Sequence, residues 1–122
     1  MKVTGTGTNQ AAYAQMTSYL TVTAGDYVAA SVKMNLVSAG TNKPGIYILW
    51  YNGASYVGGT ALVQPITTGI STLLVAGVVP ATANRAFLTV GNSSYGAAYL
   101  QNTETVEWYI DSNWLSKPNI PI

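Results

Sequence analysis

The acid–base chemistry open to this sequence rests on four carboxylates, because it contains no histidine and no cysteine. Glycoside hydrolysis by a carboxylate pair needs the two groups about 5 to 9.5 Å apart. On one extended strand Glu107 and Asp111 share a face, but four residues at about 3.3 Å each separate them by about 13 Å. Glu104 would point to the opposite face from Glu107, and Asp26 lies far away in the sequence. We therefore predict that the chain is not an enzyme.

The composition also argues against several kinds of site and partner. Without cysteine and histidine there is no thiolate nucleophile, no Ser-His-Asp triad and no typical zinc site. We expect no cofactor and no metal; a structural calcium, which the number of carboxylates does not support, would be possible only if backbone carbonyls supplied most of its ligands. The five cations are dispersed and, with four carboxylates, give a net charge of +1. The sequence therefore shows no basic cluster of the kind that binds nucleic acid. The longest apolar run, residues 73–79, is too short to span a bilayer, so we predict no membrane insertion.

Aromatic residues are the informative class, with nine Tyr, three Trp and one Phe. Sugars have apolar faces and polar edges, so flat amphipathic rings beside amide or charged donors are suited to bind them. The alternative is that these rings only cover sheet surface or lie in subunit contacts. The candidate ligand-binding residues, which we expect to point outward from strands, are Tyr47, Tyr51, Tyr109, Phe87, Arg85 and Lys33.

The elements that would position these residues are strands. Thr, Val, Ala, Gly, Ser and Tyr dominate the sequence, whereas Glu and Lys, which fill exposed helix positions, are scarce. Alternation is clearest over residues 27–36, where every second residue is apolar, and it recurs over 85–90 and 106–110. The side chains predicted to face the core are Val28, Ala30, Val32, Met34, Leu36, Ala86, Leu88, Val90, Val106, Trp108 and Ile110.

Turn residues divide the chain into short strands with no helical pattern between them. The predicted strands are 3–8, 19–23, 27–37, 46–51, 60–63, 73–79, 85–90, 98–101 and 106–110. Such spacing predicts a single all-β domain over residues 1–111, folded as an antiparallel β-sandwich or barrel.

Three segments in order resemble jelly-roll carbohydrate-binding modules. Residues 20–32 are similar to the family's "vt-x-G-x-x-Y-x-x-S-x-x-v" stretch, with Gly25, Tyr27 and Ala30-Ser31-Val32. Residues 48–57 resemble its "i-x-W-Y-D-x-x-G-x-x-i" hairpin, with Asn52 in place of Asp, and 79–88 its "aP-x-x-A-x-x-A-x-l" segment. The resemblance implies an antiparallel jelly-roll β-sandwich with Trp50 in the core. Domains of this kind occur on polysaccharide-degrading enzymes and on bacteriophage tail, fibre and capsid-surface proteins.

The sequence departs from this family in two ways. Members often begin with an additional Trp-containing strand, so we expect that Met1 is not the native start or that a neighbouring subunit supplies this strand. Many members hold a structural calcium with an Asp near the last strand, where this chain has Gln101.

The last segment, residues 112–122, is predicted to be an extended apolar tail. Its prolines cannot join a sheet interior, and its apolar side chains need cover. They would fold back on the domain or contact a neighbouring subunit. The candidate subunit contacts are Trp114, Leu115, Ile120 and Ile122.

These observations favour a non-catalytic bacteriophage virion-surface module, in a tail, fibre or capsid-associated protein, that binds host cell-surface glycan through many weak copies. One alternative is a structural capsid or tail decoration or assembly protein that keeps the fold without binding sugar. Another is the binding module of a larger polysaccharide-degrading enzyme. For the virion hypotheses, the expected location is the virion surface and the expected partners are other virion proteins and copies of the chain itself.

Overall fold

The computed structural model describes residues 2–6, 12–15, 18–38, 43–92 and 105–117. Within these ranges the chain forms β-strands and no helix, so none could cross a membrane as a helical span. The strands are β1 (Lys2–Thr6), β2 (Ala12–Gln15), β3 (Leu20–Thr21), β4 (Tyr27–Ser38), β5 (Gly45–Asn52), β6 (Ser55–Gly59), β7 (Gly69–Val78), β8 (Arg85–Asn92) and β9 (Thr105–Ser116).

The strands form two antiparallel sheets. One has four strands in the order β1-β9-β4-β7. The other has the order β2-β8-β5-β6, and β3 also pairs with β8 beside β2. The chain crosses between the sheets several times, so strands that are adjacent in sequence often lie in different sheets. The predicted all-β antiparallel sandwich is confirmed at this level.

The core between the sheets is built by alternation, as the sequence predicts. In β4 the residues Val28, Ala30, Val32, Met34 and Leu36 are each no more than 1% exposed. They pack in one cluster with the alternate residues of the facing sheet, namely Ile46, Ile48, Trp50, Ala86, Leu88 and Val90. The core position that the family resemblance implied for Trp50 is therefore observed.

From Gly45 to Trp50, β5 is buried on both faces, which the sequence did not predict. Tyr47 was expected to point outward into a binding site, and it lies on the face opposite Ile46 and Ile48, outside the core cluster. It is nevertheless fully buried, as are its neighbour on that face, Leu49, and its cross-strand partner Thr89. Alternation identifies the face to which a side chain points, but not whether that face is covered.

The connection from β6 to β7 is hydrogen-bonded to the start of β5. The backbones of Ile46 and Val63 exchange two hydrogen bonds of 2.8 and 2.9 Å. A Cβ atom at Gly45 would lie 2.6 Å from the Val63 carbonyl oxygen, so only glycine fits there. The strand predicted at 60–63 is therefore limited to a single bridge at Val63. The strand that pairs with β5 on the side away from β8 is β6, which is absent from the predicted strands. Three glycines in and beside β6 weaken its propensity signal.

β9 continues through residues that were predicted to be a tail. Residues 112–116 pair with β4 after a register shift, so this segment lies inside the four-stranded sheet. Leu115 is half-buried and packs against the chain's own core, in keeping with the alternative that the segment folds back on the domain, and its role in a subunit contact stays a prediction. The side chain of Trp114, together with Ile120 and Ile122, lies outside the described residues. After β9, the Nζ atom of Lys117 lies 3.7 Å from Oδ2 of Asp26.

Candidate functional site

Four aromatic rings contact one another in a row on the outer face of the sheet that contains β5 and β8. The ring centroids of Tyr19 and Phe87 are 6.0 Å apart, those of Phe87 and Tyr51 are 5.2 Å apart, and those of Tyr51 and Tyr56 are 5.8 Å apart. The ring planes meet at 60 to 75°, which is the favourable edge-to-face arrangement. We call these four residues the aromatic row.

Strand register brings the four rings together. Phe87 on β8 is paired with Leu49 on β5, one step along the same face from Tyr51. Because Leu20 pairs with Ala86, the preceding Tyr19 lies next to Phe87. The row thus follows β3, β8, β5 and β6 across the sheet, and at about 4.8 Å between strands it spans about 14 Å.

A tight hairpin sets the last position of the row. Gly53 has a φ of +57°, a left-handed conformation that favours glycine. The turn pairs Asn52 with Ser55 and, one step further, Tyr51 with Tyr56. Tyr56 is therefore held against Tyr51 by the geometry of the turn.

Polar groups accompany the rings at one end of the sheet. The guanidinium carbon of Arg85 lies 4.2 Å from the centroid of the Tyr19 ring, a cation–π contact. Arg85 is also the cross-strand partner of Tyr51. Beside it in sequence, Asn84 accepts a 2.9 Å hydrogen bond from the Gly53 backbone through Oδ1, and its Nδ2 lies 3.5 Å from Oδ1 of Asn52.

The exposure of the aromatic row suits a ligand that binds on a shallow surface. Tyr19 and Tyr56, at its two ends, are 45% and 46% exposed, whereas Tyr51 and Phe87 between them are half-buried. Exposed Asn52 and Asn84 and half-buried Arg85 supply hydrogen-bonding groups near the rings. Apolar ring surface beside amide and guanidinium donors can pack against the C–H face of a sugar and hydrogen-bond its hydroxyls.

The structure brings together three of the six predicted ligand-binding residues. Tyr51, Phe87 and Arg85 belong to this site. Lys33 is exposed on β4 of the other sheet, and Tyr109 lies on β9 of that sheet with its side chain outside the described residues. Lys33 and Tyr109 therefore belong to the opposite layer of the sandwich from Tyr51, Phe87 and Arg85, and a role for them in ligand binding stays a separate prediction.

Two residues of the site were missed by the sequence analysis. Tyr56 could have been found from the hairpin, because a two-residue turn at 53–54 places it opposite Tyr51. Tyr19 had no such local signal, since its neighbour Phe87 is 68 positions away (87 − 19).

Among the described side chains, buried Thr89 and the carboxylate of Asp26 add no second centre to this face. Within the described residues the hydroxyl oxygen of Thr89 has no hydrogen-bond partner, although the residue is 1% exposed. Oδ2 of Asp26 accepts a 2.8 Å hydrogen bond from the Thr23 backbone at the turn before β4. Among the residues that the structure describes, no group of three potential metal ligands comes together.

Comparison with known proteins gives a weak likeness to solved structures. No protein-family model matches this chain, and no curated protein matches it. Among solved structures it is similar to the enzymatically active domain of tailspike protein 4 of bacteriophage CBA120, with a TM-score of 0.48 and 13% identity. The match covers 90% of this chain but only 18% of the tailspike chain.

Proposed function

We propose that this chain is a non-catalytic jelly-roll carbohydrate-binding module of a bacteriophage virion surface, and that the aromatic row binds host cell-surface glycan. The observation that carries the proposal is the contact of four rings with Arg85 on one outer sheet face. Rings already packed edge to face lose little side-chain entropy on binding, which favours recognition of a flexible sugar chain.

The strand order and the sequence resemblance support the same assignment. Two sheets ordered β1-β9-β4-β7 and β2-β8-β5-β6, with repeated crossings between them, support a jelly-roll layout. The three segments that resemble carbohydrate-binding modules support the class of ligand and the virion setting. A row that is shallow and only half-exposed at its centre gives weak binding per copy, so attachment would depend on many copies.

The test is a panel of host-envelope polysaccharides presented to the chain displayed on streptavidin tetramers. The critical variant is Tyr56→Ala and its matched control is Tyr27→Ala, because the two rings are 46% and 40% exposed on opposite sheets. We expect Tyr56→Ala to weaken binding at least about tenfold, corresponding to about 1.4 kcal/mol, and Tyr27→Ala to leave it unchanged. A wild-type chain that binds no polysaccharide, or equal losses in both variants, would overturn the proposal.

The non-catalytic part of the proposal has its own measurement. A polysaccharide that binds is incubated with the chain for a prolonged period and assayed for new reducing ends. We expect none. The chain would be shown to be an enzyme if reducing ends are still released by Tyr56→Ala but are no longer released when a carboxylate is replaced.

A second function, structural decoration or assembly without sugar binding, is favoured by a different observation. Ile70, Leu74 and Val78 on β7 are 71, 61 and 62% exposed, and exposed apolar rows of this kind mark contact surfaces. Two results together would establish this function instead. The wild-type chain would bind no polysaccharide, and a variant with alanine at Tyr19, Tyr51 and Tyr56 would still incorporate normally into particles.

A further inference from the structure

The edge formed by β7 differs from the other sheet edges. β7 has ten residues and ends its sheet, and it pairs with β4 without any register shift from Val78 to Gly69. The edge strands β1, β2 and β6 are only four or five residues long, and β6 carries two glycines. Long regular edges are usually protected by lysine, proline or a bulge. The sequence of β7, GISTLLVAGV, contains no charge and no proline.

Hydrogen bonding shows which residues of β7 face outward along the edge. Just beyond β7, the N–H of Val79 donates to the carbonyl of Asp26 at 2.8 Å, and its carbonyl accepts from Gly25 at 3.0 Å. Because hydrogen-bonding direction alternates along an antiparallel pair, every second residue back from Val79 also bonds β4. The N–H and C=O groups of the remaining residues point away from β4. These outward residues, which we call the β7 edge set, are Ile70, Thr72, Leu74, Ala76 and Val78.

The side chains of the β7 edge set are exposed as well. All five are exposed, and the three largest apolar members are each more than 60% exposed. The nearby segment 64–67 is separated from Ser71, Thr72 and Leu73 by a groove of about 300 Å³. In the described part of the chain no backbone hydrogen bond reaches the outer side of β7. The same five residues therefore offer both a hydrogen-bonding edge and an apolar surface.

We propose that β7 pairs with β7 of a second copy of this chain, antiparallel and in register about Leu74, joining the two four-stranded sheets into one. In this register Leu74 faces Leu74 of the second copy, Ile70 faces Val78, and Thr72 faces Ala76. Each of these pairs is a hydrogen-bonded pair, and together they provide about ten interchain backbone hydrogen bonds.

Charge and symmetry favour a second copy over an unrelated strand. Antiparallel pairing of a strand with itself is a two-fold, self-complementary contact, and such dimers are the commonest oligomers. The pairs place β-branched or aliphatic side chains against each other, which stabilises adjacent strands. The charge nearest the edge on this face is Lys33, the partner of Thr72 on β4. Across the interface Thr72 faces Ala76, whose own β4 partner is Ala29, so no like charges meet.

A cysteine placed at the two-fold axis tests the register directly. The chain has no native cysteine, so Leu74→Cys introduces one thiol per copy. Hydrogen-bonded antiparallel partners have Cα atoms about 5.5 Å apart, a separation that a disulfide spans. Under mild oxidation we expect Leu74→Cys to form a covalent dimer at least about tenfold faster than Val37→Cys, an exposed position on β4 away from the edge.

Sedimentation equilibrium of the full chain tests the interface itself. We expect concentration-dependent dimers for the wild type and at least tenfold weaker association for Leu74→Lys, which would bring two ammonium groups together at the axis. Val37→Lys is the control and is expected to dimerise normally; circular dichroism checks that both variants fold. A monomeric wild type, dimers unaffected by Leu74→Lys, or equal cross-linking of the two cysteine variants would overturn the proposal.

Discussion

The two outer faces of the sandwich carry different kinds of apolar side chain. On one sheet, the aromatic row consists of rings that contact each other across four strands and are joined by a cation–π contact with Arg85. On the other sheet, Ile70, Leu74 and Val78 project singly along an uncharged edge. Mutually packed rings keep a fixed shape, which suits a ligand that binds reversibly. Aliphatic side chains beside open backbone groups suit a flat, lasting contact with another strand.

This contrast shows that neighbourhood, rather than residue type, distinguishes the two surfaces. Tyr27 on β4 is nearly as exposed as Tyr56, yet it lies beside Val78 on β7 and, among the described residues, belongs to no cluster of rings. A tyrosine is therefore a candidate sugar contact only where the strand order places other rings and hydrogen-bond donors next to it.

The largest expected effect on the free energy of unfolding concerns the boundary between buried and exposed residues on the sheet face that carries the aromatic row. Tyr47 is fully buried on the same sheet face as the row, so Tyr47→Ala leaves a cavity and should lower the free energy of unfolding by about 3 to 5 kcal/mol. Urea denaturation measures this change. Tyr56→Ala, at an exposed ring of the same face, is the control and should cost less than about 1 kcal/mol. A mild effect at Tyr47 would mean that this residue is part of the binding surface after all.

An intermediate effect compares two adjacent leucines on β7. Leu73 is 6% exposed and Leu74 is 61% exposed. Leu73→Ala should reduce the free energy of unfolding by about 2 to 4 kcal/mol, and Leu74→Ala by less than about 0.5 kcal/mol. The comparison is made by denaturation at concentrations where the wild type is monomeric, so that association adds nothing. If Leu74→Ala were as costly as Leu73→Ala, the exposed edge would be part of the monomer's own core.

The smallest effect concerns the buried hydroxyl on the aromatic side. Because Thr89 Oγ1 has no hydrogen-bond partner among the described residues, Thr89→Val removes an unsatisfied polar group and should stabilise the chain by up to about 1 kcal/mol. Thr72→Val, at an exposed position of β7, should change the free energy of unfolding by less than about 0.5 kcal/mol. Thermal and urea unfolding would measure both variants. Destabilisation by Thr89→Val of more than about 1 kcal/mol would reveal a partner for this hydroxyl.

The parts of the fold that local pattern determines could be predicted from the sequence. The inward residues of β4 and β8 were identified correctly because strands alternate with a period of two. The sequence predicts the end of β9 too early, because Pro118 and Pro121 favour an extended tail, whereas 112–116 contains no proline and pairs with β4. β2 at Ala12–Gln15 is a further strand that the sequence analysis did not predict.

The candidate site was only partly predictable, because it depends on which strands are neighbours. Tyr51, Phe87 and Arg85 were each expected to point outward, but only the pairing of β5 with β8 brings them together. The same pairing separates them from Lys33. The burial of Tyr47 depends on what covers its face, a property of the whole molecule that no short pattern contains.

Gly45 has a consequence for how this fold can diverge over evolution. Any larger residue there would collide with the Val63 carbonyl, whereas a Cβ atom at Gly58 would meet nothing within 4 Å. Relatives that acquire new ligands would thus be free to change Gly58. Gly45 would remain fixed in those that keep the segment around Val63 hydrogen-bonded to the start of β5.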